Sequence, residues 1–159
     1  MRCGLLTASD SGARGERVDR SGDLIEGWLR ERGHEVVYRG LVPDDQEAIR
    51  QALLHCVDEL DLELVLTTGG TGLGPRDVTP EATRSVLERE VPGIAEALRQ
   101  AGARATPRAL LSRGLAGVRG GSLIVNLPGS PAGVRDGLAV LDPIVEHAVA
   151  ILRGRPVDH

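Results

Sequence analysis

The sequence predicts an α/β fold: a mostly parallel sheet in three layers, with helices on both faces and a β-hairpin that adds an antiparallel edge strand. Strand-like and helix-like patterns alternate through the first half of the chain, and right-handed βαβ connections then make the strands parallel. In the second half, Gly120-Gly121 separates two short apolar runs, which is typical of a tight hairpin. The length predicts a single domain, residues 1–159.

In the first half, short apolar runs predict strands, and apolar residues spaced three and four apart predict helices. Gly33 is the expected end of the first helix. In chain order, the predicted elements are a strand at 3–8, a loop at 9–20, a helix at 21–32, a strand at 34–41, a helix that opens at 43–45 and ends near 60, and a strand at 62–67.

The second half is predicted to be mainly helical around the hairpin. Its long final helix has a regular apolar stripe, and Pro143 is expected to kink it. The predicted elements are helices at 80–88 and 92–104, a helical turn from 106 to about 113, hairpin strands at 115–119 and 122–127, and a helix at 131–152.

The most informative stretch is residues 62–81, where a buried strand leads into a glycine-rich loop and then a helix. Four glycines fall between Gly69 and Gly74. Without Cβ atoms, such a loop can turn several backbone N–H groups toward one anion. Thr79 is the expected N-cap of the next helix, with Pro80 at its first position. The pattern predicts a phosphate site at the carboxyl edge of the sheet.

This loop does not fit the two common nucleotide-binding motifs. Gly69 and Gly74 have P-loop spacing, but Pro75 and Arg76 occupy the positions that need Lys and Ser/Thr. The G-x-G-x-x-G pattern that starts at Gly70 also fails, because its third glycine would be Pro75. The loop is therefore predicted to be a different phosphate cradle.

Composition narrows the classes of function. The net charge of −4 gives no electrostatic footprint for nucleic acid or an anionic membrane. All 19 basic residues are arginine, which excludes Schiff-base chemistry and a P-loop lysine. The two cysteines lie in apolar settings, and no apolar run approaches 18 residues or resembles a signal peptide. A cytoplasmic protein is expected.

Three carboxylates, Asp44, Asp45 and Asp77, follow predicted strands and are expected to converge at the same sheet edge. Carboxylates combined with phosphate are what Mg²⁺ requires, so all three are candidate metal ligands. Each also has a structural alternative. Asp45 could cap the helix that follows it, Asp44 could be a solvated turn residue, and Asp77 could pair with Arg76 or a loop N–H group.

Two further patches complete the candidate site. Ser9 and Asp10 follow the first strand, and Ser112-Arg113 and Pro128-Gly129-Ser130-Pro131 form a polar cluster near the hairpin. Arg113 could pair with an anion. Ser130 could instead cap the last helix.

Taken together, these motifs resemble the Mog/MoaB molybdenum-cofactor biosynthesis family. The resemblance is carried in order by Pro43-Asp44-Asp45, Thr67–Gly72 with Pro75–Thr83, Leu111-Ser112-Arg113 and Asn126–Pro131. It covers nearly the whole chain and implies a molybdopterin-binding-type fold, usually a homotrimer. The Arg76–Pro80 run resembles the Mog branch, whose members use Mg²⁺ and ATP to adenylylate molybdopterin and release pyrophosphate.

The resemblance implies that Asp44 and Asp77 act in catalysis and that Mg²⁺ binds Asp77 with Asp44 or Asp45. ATP and molybdopterin are the implied substrates, and other molybdenum-cofactor biosynthesis proteins are implied partners. Two alternatives are a MoaB-type molybdopterin-binding protein without transferase activity and an unrelated nucleotide-binding regulator. The expected substrate-binding residues are Ser9, Asp10, Thr68, Gly69, Gly70, Thr71, Gly72, Arg76, Thr79, Ser112, Arg113, Pro128, Gly129, Ser130 and Pro131.

Overall fold

The computed structural model describes residues 1–158; His159, the last residue of the predicted domain, lies outside them. The described residues contain one six-stranded sheet with strand order β2-β1-β3-β6-β5-β4. The strands are β1 (Arg2–Ala8), β2 (Glu35–Val42), β3 (Leu64–Thr68), β4 (Arg89–Glu90), β5 (Ala116–Arg119) and β6 (Ser122–Leu127). The first four strands in this order are mutually parallel, and the β6-β5-β4 side is antiparallel.

Helices cover both faces of this sheet. They are α1 (Asp10–Ala13), α2 (Arg20–Glu31), α3 (Gln46–Leu54), α4 (Thr79–Val86), α5 (Pro92–Ala103), α6 (Pro131–Leu141) and α7 (Val145–Leu152). A π-helical turn extends α3, and a 3₁₀ turn at Pro107–Leu111 follows α5. None of the helices in the described range is both long and apolar enough to cross a bilayer.

Alternation along the strands explains the two cores. Leu5, Leu64 and Leu66 point to the face covered by α2, α5, α6 and α7. Leu6 and Val65 point to the opposite face, which α3 and α4 cover. Because successive strand residues face opposite sides, apolar runs such as Leu64-Val65-Leu66 serve both cores. The predicted three-layer α/β class is confirmed.

Several predicted boundaries were wrong. Residues 10–13 of the predicted loop form the short helix α1, and the hairpin's antiparallel side carries one further short strand that was not predicted, β4, paired with β5. The helix predicted to run to residue 60 changes to a π-helical turn at His55–Glu59.

The last predicted helix is also two helices rather than one kinked helix, since α6 ends at Leu141 and α7 begins at Val145. Pro143 lies in the break, where its missing N–H group cannot continue the helical hydrogen bonds.

The chain leaves β1 toward β2 on one side, while β3 pairs with β1 on the other. Such a reversal of strand order opens a crevice at the carboxyl ends of the strands. The glycine loop begins where β3 ends at Thr68, so it enters this crevice.

Candidate active site

A cavity of about 770 Å³ lies at the carboxyl ends of β1, β2 and β3. Nine of the predicted site residues line it, and residues 16–21 form a wall that the sequence did not suggest. The nine predicted residues are Ser9, Asp44, Thr68, Gly69, Gly70, Asp77, Gly129, Ser130 and Pro131.

Gly69 and Gly70 form the floor of this cavity in a conformation that favours glycine, with φ values of 89° and 68°. A Cβ on Gly69 would overlap the carbonyl oxygen of Ala8, and one on Gly70 would overlap Oγ1 of Thr79. Side chains are therefore excluded at both positions. The backbone of the loop remains open to a ligand in the cavity.

Arg113 holds the glycine loop in place. Its Nε donates to the carbonyl of Gly72 at 2.8 Å, and its Nη2 donates to the carbonyl of Asp77 at 2.7 Å. Its Nη1 pairs with Glu81, at 2.7 and 3.1 Å from the two carboxylate oxygens. The anion expected for Arg113 is thus the protein's own Glu81, and the guanidinium group positions the loop.

Asp10 and Asp44 are interlocked through the backbone. The Asp10 N–H group donates to Oδ2 of Asp44 at 3.0 Å, and the Asp44 N–H group donates to Oδ1 of Asp10 at 2.9 Å. Arg76 donates two hydrogen bonds to Asp10. These bonds from Arg76 lower the pKa of Asp10. Asp10 and Arg76 therefore neutralise each other beside the cavity.

Asp44 differs from Asp10 in charge balance. It is half-buried, and this burial raises its pKa, as do the neighbouring charges of Asp10 and Asp77. The hydrogen bond from the Asp10 N–H group and the charge of Arg76 oppose this rise in the pKa without reversing it. Asp77 accepts a hydrogen bond from the Gly74 N–H group at 2.9 Å. Neither Asp44 nor Asp77 has an ion-pair partner among residues 1–158. The charge of Arg76 offsets part of the Asp44 charge, and the two carboxylates still present net negative charge to the cavity.

Asp45 does not share this position. Its Oδ2 accepts from the Ala48 N–H group at 2.9 Å and so caps α3. It is exposed and does not line the cavity. The helix-cap alternative is therefore the one realised, and the expectation of Asp45 as a metal ligand is corrected.

Thr79 was expected to be the N-cap of α4, but Val78 has that position and Thr79 is the first helical residue. The Thr79 side chain is completely buried, and its Oγ1 has no hydrogen-bond partner. Oγ1 of Thr79 and Oδ1 of Asp44 both border the space above Gly70 that a Cβ would fill. A buried hydroxyl without a partner is costly unless something else satisfies it.

Two carboxylates at the cavity fit a magnesium ion whose remaining coordination positions are filled by ligands from outside the protein. Within residues 1–158, no group of three or more His, Cys, Asp or Glu side chains is disposed to hold a metal. Mg²⁺ is commonly held by one or two carboxylates, with water and substrate phosphates as its other ligands. Asp44 and Asp77 supply two such carboxylates.

A second cavity of about 320 Å³ lies beyond Gly129-Ser130, which line both cavities. It contains Thr71, Gly72, Ser112 and Pro128 of the predicted site, and α5 and α6 form much of its apolar wall. Oγ of Ser130 caps α6 by accepting from the Gly133 N–H group at 3.1 Å. Oγ of Ser112 accepts from the Gly114 N–H group at 3.3 Å.

Hydrogen bonds that the sequence did not reveal hold the loops between the cavities. Oγ1 of Thr68 donates to the Pro128 carbonyl at 2.5 Å, and Oγ of Ser21 donates to the Gly129 carbonyl at 2.7 Å. Below them, Asn126 is buried and donates to Thr67 and Thr83 on the neighbouring β3 and α4. Two signals were available: Asn126 is the only asparagine in the chain, and it begins the Asn126–Pro131 motif.

The sequence of this chain is similar to those of several known proteins. Residues 4–147 match the family described as the probable molybdopterin binding domain. The chain is 39% identical to the molybdopterin adenylyltransferase of Helicobacter pylori, over 97% of this chain and 89% of that protein. It is 43% identical to the molybdenum cofactor biosynthesis bifunctional protein of Synechococcus elongatus over 98% of this chain, and it spans about half (48%) of that relative's length.

A solved structure extends the similarity to the backbone. The molybdopterin biosynthesis enzyme MoaB from Thermus thermophilus is 51% identical and superposes with a TM-score of 0.92, covering 99% of both chains. Sequence and fold thus agree over nearly the whole length. The chain belongs to the Mog/MoaB family of molybdenum-cofactor biosynthesis proteins.

Proposed function

We propose that this protein is a molybdopterin adenylyltransferase. The observation that carries the proposal is a cavity in which two carboxylates without a direct ion pair, Asp44 and Asp77, stand beside the backbone floor of Gly69-Gly70. The smaller cavity across Gly129-Ser130 offers a separate place for a second substrate. A relative that is 39% identical to this chain is named molybdopterin adenylyltransferase, which supports the same activity.

The proposed reaction transfers AMP from ATP to molybdopterin. A terminal phosphate oxygen of molybdopterin attacks the α-phosphorus of ATP, the bond between that phosphorus and the bridging oxygen breaks, and pyrophosphate leaves. The protein contributes mainly positioning and charge stabilisation. Backbone N–H groups at Gly69-Gly70 bind phosphate, and Arg113 keeps this loop in place. Asp44 and Asp77 hold Mg²⁺, which when bound supplies neutralisation of phosphate charge.

The test is pyrophosphate release in a mixture of protein, ATP, Mg²⁺ and molybdopterin, compared with the same mixture without molybdopterin. Release that depends on molybdopterin supports the transferase. The MoaB-type alternative predicts molybdopterin binding without release. An unrelated nucleotide-binding regulator would bind ATP whether or not the pterin is present.

Variants make the test specific to the two carboxylates. We expect Asp77→Asn and Asp44→Asn to fold and to lose turnover by roughly 10²-fold or more, the scale of losing one key electrostatic group. The matched control is Asp45→Asn, because asparagine is also a good N-cap and Asp45 lies outside the cavity. Near-normal turnover by Asp77→Asn would refute its assignment.

A further inference from the structure

One wall of the larger cavity is formed by the segment between α1 and α2. Glu16, Arg17, Val18, Asp19 and Arg20 all line the cavity. Asp44 and Asp77 enter from other elements, after β2 and after β3. The cavity therefore has charged side chains on separate walls.

The acidic residues of this segment already have partners. Glu16 pairs with Arg14, with Nε and Nη2 of the arginine each 3.0 Å from a carboxylate oxygen. Asp19 accepts from Oγ1 of Thr7 at 2.7 Å and lies 3.4 Å from Arg39. Their charges are therefore compensated within the protein.

The arginines of the same segment are not paired. Within residues 1–158, the guanidinium groups of Arg17 and Arg20 have no hydrogen-bond or ion-pair partner. Most arginines of the chain do have one, including Arg76 and Arg113 beside the glycine loop. With no lysine in the chain, Arg17 and Arg20 are the free cations that line this cavity.

The segment is anchored at the end that carries Arg20. Asp19 caps α2 by accepting from the Gly22 N–H group at 2.9 Å, and Ser21 bonds to the Gly129 carbonyl. Gly129 in turn lies against Gly69. Arg20 therefore precedes Ser21, whose hydrogen bond to Gly129 connects this segment to the loop that lies against Gly69.

The fold gives no reason for an arginine at this position. Arg20 is the first residue of the twelve-residue helix α2. A cation in the first turn opposes the helix dipole and is therefore unfavourable for the helix. The side chain is exposed and covers no core. An unpaired arginine in an unfavourable position on a cavity wall points to a ligand.

We propose that Arg17 and Arg20 bind the pyrophosphate portion of the nucleotide, the group that leaves in the proposed adenylyl transfer. This inference rests on the proposed function and deepens it. A pyrophosphate group carries several negative charges, and two carboxylates with Mg²⁺ do not balance them. Two guanidinium groups supply the missing charge and can each donate two hydrogen bonds to phosphate oxygens.

The test measures binding of inorganic pyrophosphate, with Mg²⁺, to the full chain by titration calorimetry. Arg17→Gln and Arg20→Gln should each weaken binding about tenfold, and the double variant about a hundredfold. Arg17→Lys should retain part of the affinity, because the charge remains. The control is Arg135→Gln, which removes the same charge from an exposed site outside both cavities and should leave binding unchanged.

A second readout separates binding from a structural role. The double variant should raise KM for ATP while KM for molybdopterin stays at its wild-type value and the urea midpoint does not fall, because removing the first-turn cation does not weaken α2. The proposal is overturned if wild-type protein binds no pyrophosphate, if the double variant binds it normally, if Arg135→Gln weakens it equally, or if molybdopterin affinity falls instead.

Failure of this proposal differs from failure of the proposed function. Arginine-dependent pyrophosphate binding without molybdopterin-dependent release would support the binding site and refute the transferase. Normal transfer by the double variant, with unchanged KM for ATP, would refute the arginine assignment alone.

Discussion

Replacement of Thr79 by valine is expected to raise the free energy of unfolding and to lower the rate of turnover. The Thr79 side chain is completely buried, and its hydroxyl has no hydrogen-bond partner. Such a group costs about 1–3 kcal/mol of folding free energy. Valine has the same shape but no hydroxyl to desolvate. The new methyl group faces Gly70 at close range, so we expect the lower part of this range, about 1–2 kcal/mol of added stability.

The measurement is equilibrium unfolding in urea, followed by circular dichroism. With a slope of about 2 kcal/mol/M, the midpoint should rise by about 0.5–1 M at unchanged slope. Turnover should fall about tenfold, the value of one hydrogen bond, because the hydroxyl shares the space above Gly70 with Asp44.

Thr83→Val is the matched control. Thr83 is also fully buried on α4, one turn later, but its Oγ1 accepts a hydrogen bond from Nδ2 of Asn126 at 3.0 Å. The same substitution should therefore lower stability by about 1–2 kcal/mol. If Thr79→Val and Thr83→Val destabilise the protein equally, the hydroxyl of Thr79 is satisfied and the reasoning fails.

Three other predictions follow from the fold and the site. Burial raises the pKa of Asp44 above 3.8, so the charged form of Asp44 opposes folding at neutral pH. Asp44→Asn should therefore be more stable than wild type at pH 7, by under about 1 kcal/mol. Thermal unfolding should show this difference vanish below about pH 3.8, where Asp44 is protonated in both the folded and the unfolded protein. Gly69→Ala should lower the urea midpoint far more than Gly120→Ala, because both have positive φ but only Gly69 would overlap Ala8. Light scattering should give about three times the chain mass of 16.8 kDa if the trimer implied by the family forms, and the monomer mass would contradict it.

The layers of the fold were predictable because they depend on local patterns. Apolar runs and helical spacing identified β1, β3 and the hairpin, and the glycine loop indicated a crevice at their carboxyl ends. Strand β4 consists of only two residues, Arg89 and Glu90, which are both charged and exposed, so no apolar run marks it in the sequence. A proline can either kink a helix or end it, and the sequence did not distinguish these outcomes at Pro143, where α6 ends at Leu141 and α7 begins at Val145.

The site was predictable as a set of loops, but not in the partners of its side chains. Asp44 and Asp45 are adjacent and chemically identical, and only the fold turns one to the cavity and the other to a helix N-terminus. The sequence suggested that Arg113 binds an anionic ligand, but the structure pairs it with Glu81, which lies 32 residues earlier in the chain. Such pairings are set by tertiary contacts between distant residues.

The central claim is transfer of the α-phosphate of ATP to molybdopterin, and labelled ATP tests it most directly. The account predicts that label on the α-phosphorus enters the pterin product with the adenosine, while label on the γ-phosphorus appears in pyrophosphate. Both should require molybdopterin. Appearance of γ-label as orthophosphate, or no transfer of α-label while molybdopterin binds normally, would contradict the account.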